Sequence, residues 1–236
     1  MKRKEVKLVL VPPESNDTTF FGCPSGRAHR IIKVGRIGVV DAVKEWAKRP
    51  CGDLVLEGKP ERHLDDLELQ KRMADLGNLR GLGPYFLDGL VLRSSEGVRI
   101  QPQQNKVTVQ GGLDGDRWQE GKANPTDQIS MMNVNIAHAI ANGQSVGLFG
   151  DNLFTGLDLS EEALPVGAQI TVGEVRLELS EQPHVPCGRF RARFGAAAFE
   201  MAARNPRIRG VYLTVISGGT IHLGDEVSVV DPFKAS

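Results

Sequence analysis

A chain of 236 residues with 40% hydrophobic side chains can bury a substantial core, either as one large domain or as a domain plus an extension. Lys plus Arg and Asp plus Glu each number 29, so the formal charge is zero, which argues against nucleic acid or an anionic surface as a partner. No apolar run approaches the ~20 residues of a membrane helix, and Met1-Lys2-Arg3-Lys4-Glu5 before a short Val/Leu run lacks a full secretory core, so the expected location is cytoplasmic.

The first 60 residues read as irregular: an apolar start at Val6–Val11, a Pro/Ser/Asn/Asp/Thr stretch, and a helix predicted around Val39–Lys48 that stops before Pro50. Leu64, Leu67, Leu69, Met73 and Leu76 among charges predict an amphipathic helix ended by Gly77-Asn78. Beyond residue 88 the pattern turns to short strands and glycine corners. Leu90-Val91-Leu92 and Val107-Thr108-Val109 are strand candidates. Ile170–Val172 and Val175–Leu179 alternate apolar with polar across Gly173-Glu174, a hairpin signature. A second hairpin is expected from Gly210–Ile216 through Ser217-Gly218-Gly219 to Val227–Val230. Helices are predicted over Asn133–Ala141 and Phe190–Arg204, the latter with Phe190, Phe194, Ala197, Ala198 and Met201 on one face. Many short strands with few helices predict a mainly β fold, a closed or nearly closed barrel covered by helices.

Three cysteines, Cys23, Cys51 and Cys187, are too few and too scattered for a disulfide framework or a CxxC metal site. Cys187 stands apart. It lies in Gln182-Pro183-His184-Val185-Pro186-Cys187-Gly188-Arg189-Phe190, where two prolines force a bend and a thiol at the corner can reach a ligand. Arg189, Arg191 and Arg193 follow it, and positive charge there favours a thiolate.

Several segments together resemble the MOSC domain, the family named for the C-terminal domain of molybdenum-cofactor sulfurases. They are Gly111–Trp118, Gln128–Asn133, Gly147–Leu153, Leu157-Asp158-Leu159 with Leu164–Ala168, the Pro186-Cys187 corner, and Gly210-Val211-Tyr212 through Ile221–Val227. The resemblance implies a MOSC domain of the PK β-barrel kind over 88–236, preceded by an N-terminal extension over 1–87, partly helical or irregular.

It further implies that Cys187 either ligates the molybdenum of a molybdopterin cofactor or carries sulfur as a persulfide. A soft thiolate suits both uses. Arg189 first, then Arg193, would hold the cofactor phosphate, although a solvated helix face explains them equally well. Asp116, Asp151 and Asn152 follow glycines in turns and are carried over as pocket residues. Asn133 is another, although an N-cap accounts for it too. His184, three residues before the cysteine, can deprotonate it or orient a bound oxygen; a loop-stabilising histidine fits as well. Trp118 stands where many family members have histidine. No PLP site is evident, so a sulfur-handling role needs a separate PLP-dependent cysteine desulfurase, and redox chemistry needs a separate electron-donating reductase. Three readings follow: reduction of N-hydroxylated small molecules, sulfur transfer, or non-catalytic binding of a pterin or a protein partner.

Overall fold

The computed structural model describes residues 58–77, 83–93, 99–120 and 124–230 with side chains, together with the backbone of three short strands nearer the N-terminus. Those strands, β1 (Lys7–Leu8), β2 (Thr19–Gly22) and β3 (His29–Ile32), form an antiparallel sheet in the order β1-β2-β3. Where the sequence reads as irregular there is thus a small sheet, built on the β-prone pairs Phe20-Phe21 and Ile31-Ile32. It belongs to a compact unit of residues 1–57 with 94–98; the second unit comprises 58–93 and 99–236. The helix expected at Val39–Lys48, Cys23 and Cys51 lie outside the described residues.

The second unit begins with a 3-10 turn at Pro60–Arg62 and helix α1 (Asp66–Asp75). Asp65 caps α1 by accepting from the Glu68 amide at 2.8 Å, and the chain leaves through Gly77 at φ 61°. Leu69 is buried whereas Leu67 is 79% exposed, because two helical steps rotate a side chain to the opposite face.

The strands that follow are β4 (Tyr85–Leu90), β5 (Leu92–Arg93), β6 (Arg99–Ile100), β7 (Gln104–Thr108), β8 (Gly112–Leu113) and β9 (Ile129–Asn133). Helix α2 (Val134–Ala141) leads to β10 (Leu153–Thr155), β11 (Gln169–Val172) and β12 (Val175–Pro183). Helices α3 (Gly188–Arg204) and α4 (Pro206–Arg209) precede β13 (Val211–Ser217), β14 (Gly219–His222) and β15 (Glu226–Val229). Seven strands close a barrel in the order β10-β4-β15-β11-β12-β13-β9, with the single parallel pairing between β9 and β10. The mainly β expectation is met.

Alternation supplies the core. Ile170 and Val172, Val175, Leu177 and Leu179, and Val211, Leu213 and Val215 are buried between less buried neighbours. All five residues of β9 are buried, as expected of a strand covered on both faces. The β11–β12 hairpin pairs Val172 with Val175 across Gly173, whose φ of 55° suits its turn.

The second hairpin is different from the expectation. β13 pairs with β12 and β9, and β15 pairs with β11 and β4, so the two never meet. Between them β14 leaves the barrel and pairs with β7, in a sheet ordered β14-β7-β8. The glycines of this stretch serve a close crossing: a Cβ on Gly218 would stand 2.5 Å from the Val107 carbonyl oxygen. Helix α3 also differs, since Gly195 at φ 92°, ψ 174° breaks it in the middle.

Candidate functional site

The bend between β12 and α3 ends at Cys187, which is exposed and occupies the N-cap of α3 at φ −112°, ψ 174°. Its side chain makes no capping bond, so the thiol is presented without serving the helix. The loop is fastened two ways. His184 is buried with its ring 4.2 Å from that of Tyr212, while its Nδ1, 3.3 Å from Asp151 Oδ1, makes no hydrogen bond there. On the helix side, the Phe190 ring packs on Phe194 and Phe149, and the Arg209 guanidinium carbon lies 5.4 Å above it.

Asp151, at the turn before β10, pairs with the Arg209 guanidinium, which also donates to the Phe149 carbonyl at 3.2 Å. Burial and then the neighbouring Arg209 push the His184 pKa down to about 3, against the opposing pull of Asp151. A histidine held neutral in this way, stacked and enclosed, favours anchoring the loop over taking a proton from the thiol.

Asp116 is the hub of a second group. It accepts from the Arg93 amide and Nη2, both at 2.8 Å, from the Trp118 amide at 3.0 Å and from Asn152 Nδ2 at 2.9 Å. Burial alone would push its carboxyl up, but the bonds and charge of Arg93 outweigh this and hold it below the ordinary range. Asn152 also donates to the Val91 carbonyl and accepts from the Ser130 amide and hydroxyl, so it knits β9 to the chain after β4. Asn133 caps α2 by accepting from the Asn135 and Ile136 amides while donating to the Gly156 and Leu157 carbonyls. Both amides are committed to the scaffold. Trp118 is half-buried, its Nε1 donating to Asp127 at 2.8 Å.

The arginines behave as one field. Arg193 is buried and donates to the Leu148 carbonyl at 2.6 Å, whereas Arg189, one helical turn earlier, is exposed. Burial first, then Arg189 against the pull of Cys187, then Arg117 and Arg209, shift the Arg193 ionisation downward. Arg117 is shifted the same way by burial and then Arg93 and Arg189, with Asp116 and Cys187 opposing. Arg99 is 5% exposed, and burial, then Arg193, Arg117 and Arg93, bring it down to about 9. Its guanidinium lies against Gly150, where an ideal Cβ would stand 2.9 Å from Nη2. Six guanidinium groups (Arg93, Arg99, Arg117, Arg189, Arg193 and Arg209) therefore share a field with Asp116, Asp151 and the Cys187 sulfur.

Of the residues expected from sequence, Cys187, Arg189, Arg193 and Asp116 fall within this field, and His184 and Asp151 join it through Arg209. Arg93, Arg99, Arg117, Arg209 and Tyr212 were not legible in advance; the Asn205–Gly210 segment, two arginines beside the recognised Gly210-Val211-Tyr212 motif, was the available hint for Arg209. Among the described residues, no group of three His, Cys, Asp or Glu side chains is placed to hold a metal ion. Nor is any helix among them long and apolar enough to cross a membrane.

The model of the MOSC domain matches residues 123–228. Solved structures similar to this chain include the YUAD protein from Bacillus subtilis, 21% identical, with a TM-score of 0.48 over 61% of this chain and 94% of that one. YiiM from Escherichia coli is 20% identical, with a TM-score of 0.44 over 63% of this chain and 69% of that one. YiiM from Geobacillus stearothermophilus is 17% identical, with a TM-score of 0.43 over 64% and 78%. No curated protein matches the chain. MOSC domains are associated in general with the molybdenum cofactor. The segment that matches the MOSC domain family, residues 123–228, carries the Pro-Cys bend and most strands of the closed barrel.

Proposed function

We propose that this protein holds a molybdenum-pterin cofactor, with Cys187 as the protein ligand of the metal, and removes oxygen from N-hydroxylated small molecules. The observation that carries the reading is the cationic field around an exposed thiol. Positive charges gathered in a partly desolvated place repel one another, and a multiply charged anion among them removes that penalty. A soft sulfur donor suits a sulfur-ligated, high-valent metal better than zinc or magnesium. The donor set therefore fits the group.

When bound, the cofactor supplies two-electron chemistry at the metal. The protein's residues divide the remaining work. Arg93 is fixed by Asp116 and Arg209 by Asp151, so neither guanidinium swings with the ligand. Arg189, exposed, and Arg117, half-buried, are the groups positioned to meet an incoming phosphate, which guanidinium binds through paired donors. Arg99 and Arg193 add charge from buried positions. His184, neutral, keeps the Pro183–Pro186 bend against the barrel so that the sulfur stays at its corner. Electrons come from a separate reductase.

The test is elemental analysis of protein made in a cofactor-competent host. Stoichiometric molybdenum that disappears in Cys187→Ser supports the reading, and intact protein without metal sinks it. The exposure of Cys187 also favours a second reading, a persulfide relay fed by a PLP-dependent cysteine desulfurase. Mass spectrometry after incubation with such an enzyme and cysteine would then find one added sulfur on Cys187 in metal-free protein.

A further inference from the structure

Gln144 follows α2 in a tight turn, is 7% exposed, and uses both ends of its amide. Its Oε1 accepts from the Lys59 backbone amide at 2.7 Å, and its Nε2 donates to the Arg193 carbonyl at 3.2 Å. One side chain thus connects the segment ahead of α1 to the backbone of a buried arginine of the cationic field.

Two glycines lie at the same junction. A Cβ on Gly58 would stand 2.1 Å from the Arg193 carbonyl oxygen and 2.2 Å from its Cα, so the chain crosses the Arg193 backbone with no room for a side chain. Gly195, at φ 92°, lies against His63, whose Cβ is 3.0 Å from where a Gly195 Cβ would be. A helix broken at Gly195 cannot carry its regular bonding ladder past residue 193, and the Arg193 carbonyl receives the Gln144 amide. Asn142 adds a parallel tie, accepting from Arg72 Nη1 at 2.9 Å and donating to the Arg62 carbonyl at 3.0 Å. Residues 58–63 therefore strap the break in α3 from outside the segment that the family model matches.

We infer that Gln144 is a positioning residue for the anion site: through it the Gly58–His63 strap sets where the Arg193 guanidinium stands in the cationic field. This rests on the anion-binding part of the proposed function. Without the Gln144 tie the Arg193 carbonyl loses this donor tied to the strap, the break in α3 relaxes, and the guanidinium leaves its place in the field. Affinity for an anion then falls through Arg193 and through no other residue.

The experiment is a double-mutant cycle in the full chain, with inorganic phosphate as probe, read by calorimetry at low salt alongside thermal unfolding. Gln144→Met keeps the volume and removes both bonds. It is expected to weaken phosphate binding roughly tenfold, the equivalent of one lost charge-assisted contact. In an Arg193→Met background the same change is expected to have no further effect. A second variant, Lys59→Pro, replaces the amide hydrogen that Gln144 accepts with a ring carbon and so breaks that bond, at a backbone φ of −94°, and is expected to weaken phosphate binding in the same Arg193-dependent way. Equal losses with and without Arg193, or lowered unfolding temperatures with unchanged affinity, would overturn the inference while leaving the anion site standing. Absence of phosphate binding to the unaltered protein would instead overturn the site itself.

Discussion

Arg93 and Arg99 stand directly opposite each other in the ladder between β5 and β6. Like charges so placed destabilise a strand pair, and Asp116 is bonded to Arg93 across this junction. The short ladder therefore brings two guanidinium-bearing residues together, one of them buried. Such an arrangement is expected of a site whose ligand is an anion.

If that is so, phosphate should stabilise the fold. At roughly a hundred times its Kd, a ligand specific for the native state adds about 2.7 kcal/mol. The gain should shrink as sodium chloride screens and competes for the site, and Arg99→Met should reduce it further. Thermal unfolding with and without phosphate, at low and high salt, checks this. A phosphate effect of equal size in the variant would remove Arg99 from the site.

Asp116→Asn is expected to destabilise the protein by about 3 kcal/mol, because it leaves Arg93 without its carboxylate in a partly buried place and weakens the tie to Asn152. Denaturant unfolding measures it. A loss under about 0.5 kcal/mol, the range of an ordinary surface change, would refute the hub role.

His184 makes stability depend on pH. Its folded pKa of about 3 lies below the ordinary 6.5, so between those values the unfolded chain binds a proton that the native protein refuses. Stability therefore rises with pH across this window and is lost as pH falls from 6.5 toward 3, by up to about 1.4 kcal/mol per pH unit. Asp116, lowered from 3.8, adds its own loss only at the acid end. Unfolding titrations above pH 3.8 should show the slope in the native chain and its absence in His184→Gln.

In metal-free protein, Cys187→Ser should raise stability by about 0.5–1 kcal/mol, since serine is a strong N-cap and the cysteine forms no capping bond there. Made in a cofactor-competent host, the same variant should lose molybdenum. Unfolding of metal-free samples and metal analysis of the others read the two effects. Destabilisation by the substitution would mean that the thiol supports the fold in a way its exposure does not suggest.

Much of the barrel is legible because its signals are local. Ile170–Leu179 reads as a hairpin from period-two alternation and a glycine turn, and Asn133 reads as a cap from its place before an apolar helical run. The Ser217–Gly219 stretch misleads for the same reason. Glycines look alike whether they reverse a chain or let it cross another backbone, and only the approach to Val107 tells the two apart. Gly195 likewise sits within a helical pattern that gives no sign of the break.

Before any folding is considered, the order of residues already decides the apolar alternation, the helix caps and the bend that puts a sulfur at a Pro-Cys corner, all of which depend on neighbours a few positions away. Which arginines gather there is another matter. Arg93 and Arg99 meet through strand register, Arg117 through a 3-10 turn, Arg193 through a helix broken under a distant strap, and Arg209 through a carboxylate 58 positions back. Charge acts through space over distances that sequence separation does not measure, so that convergence exists only once the barrel has closed.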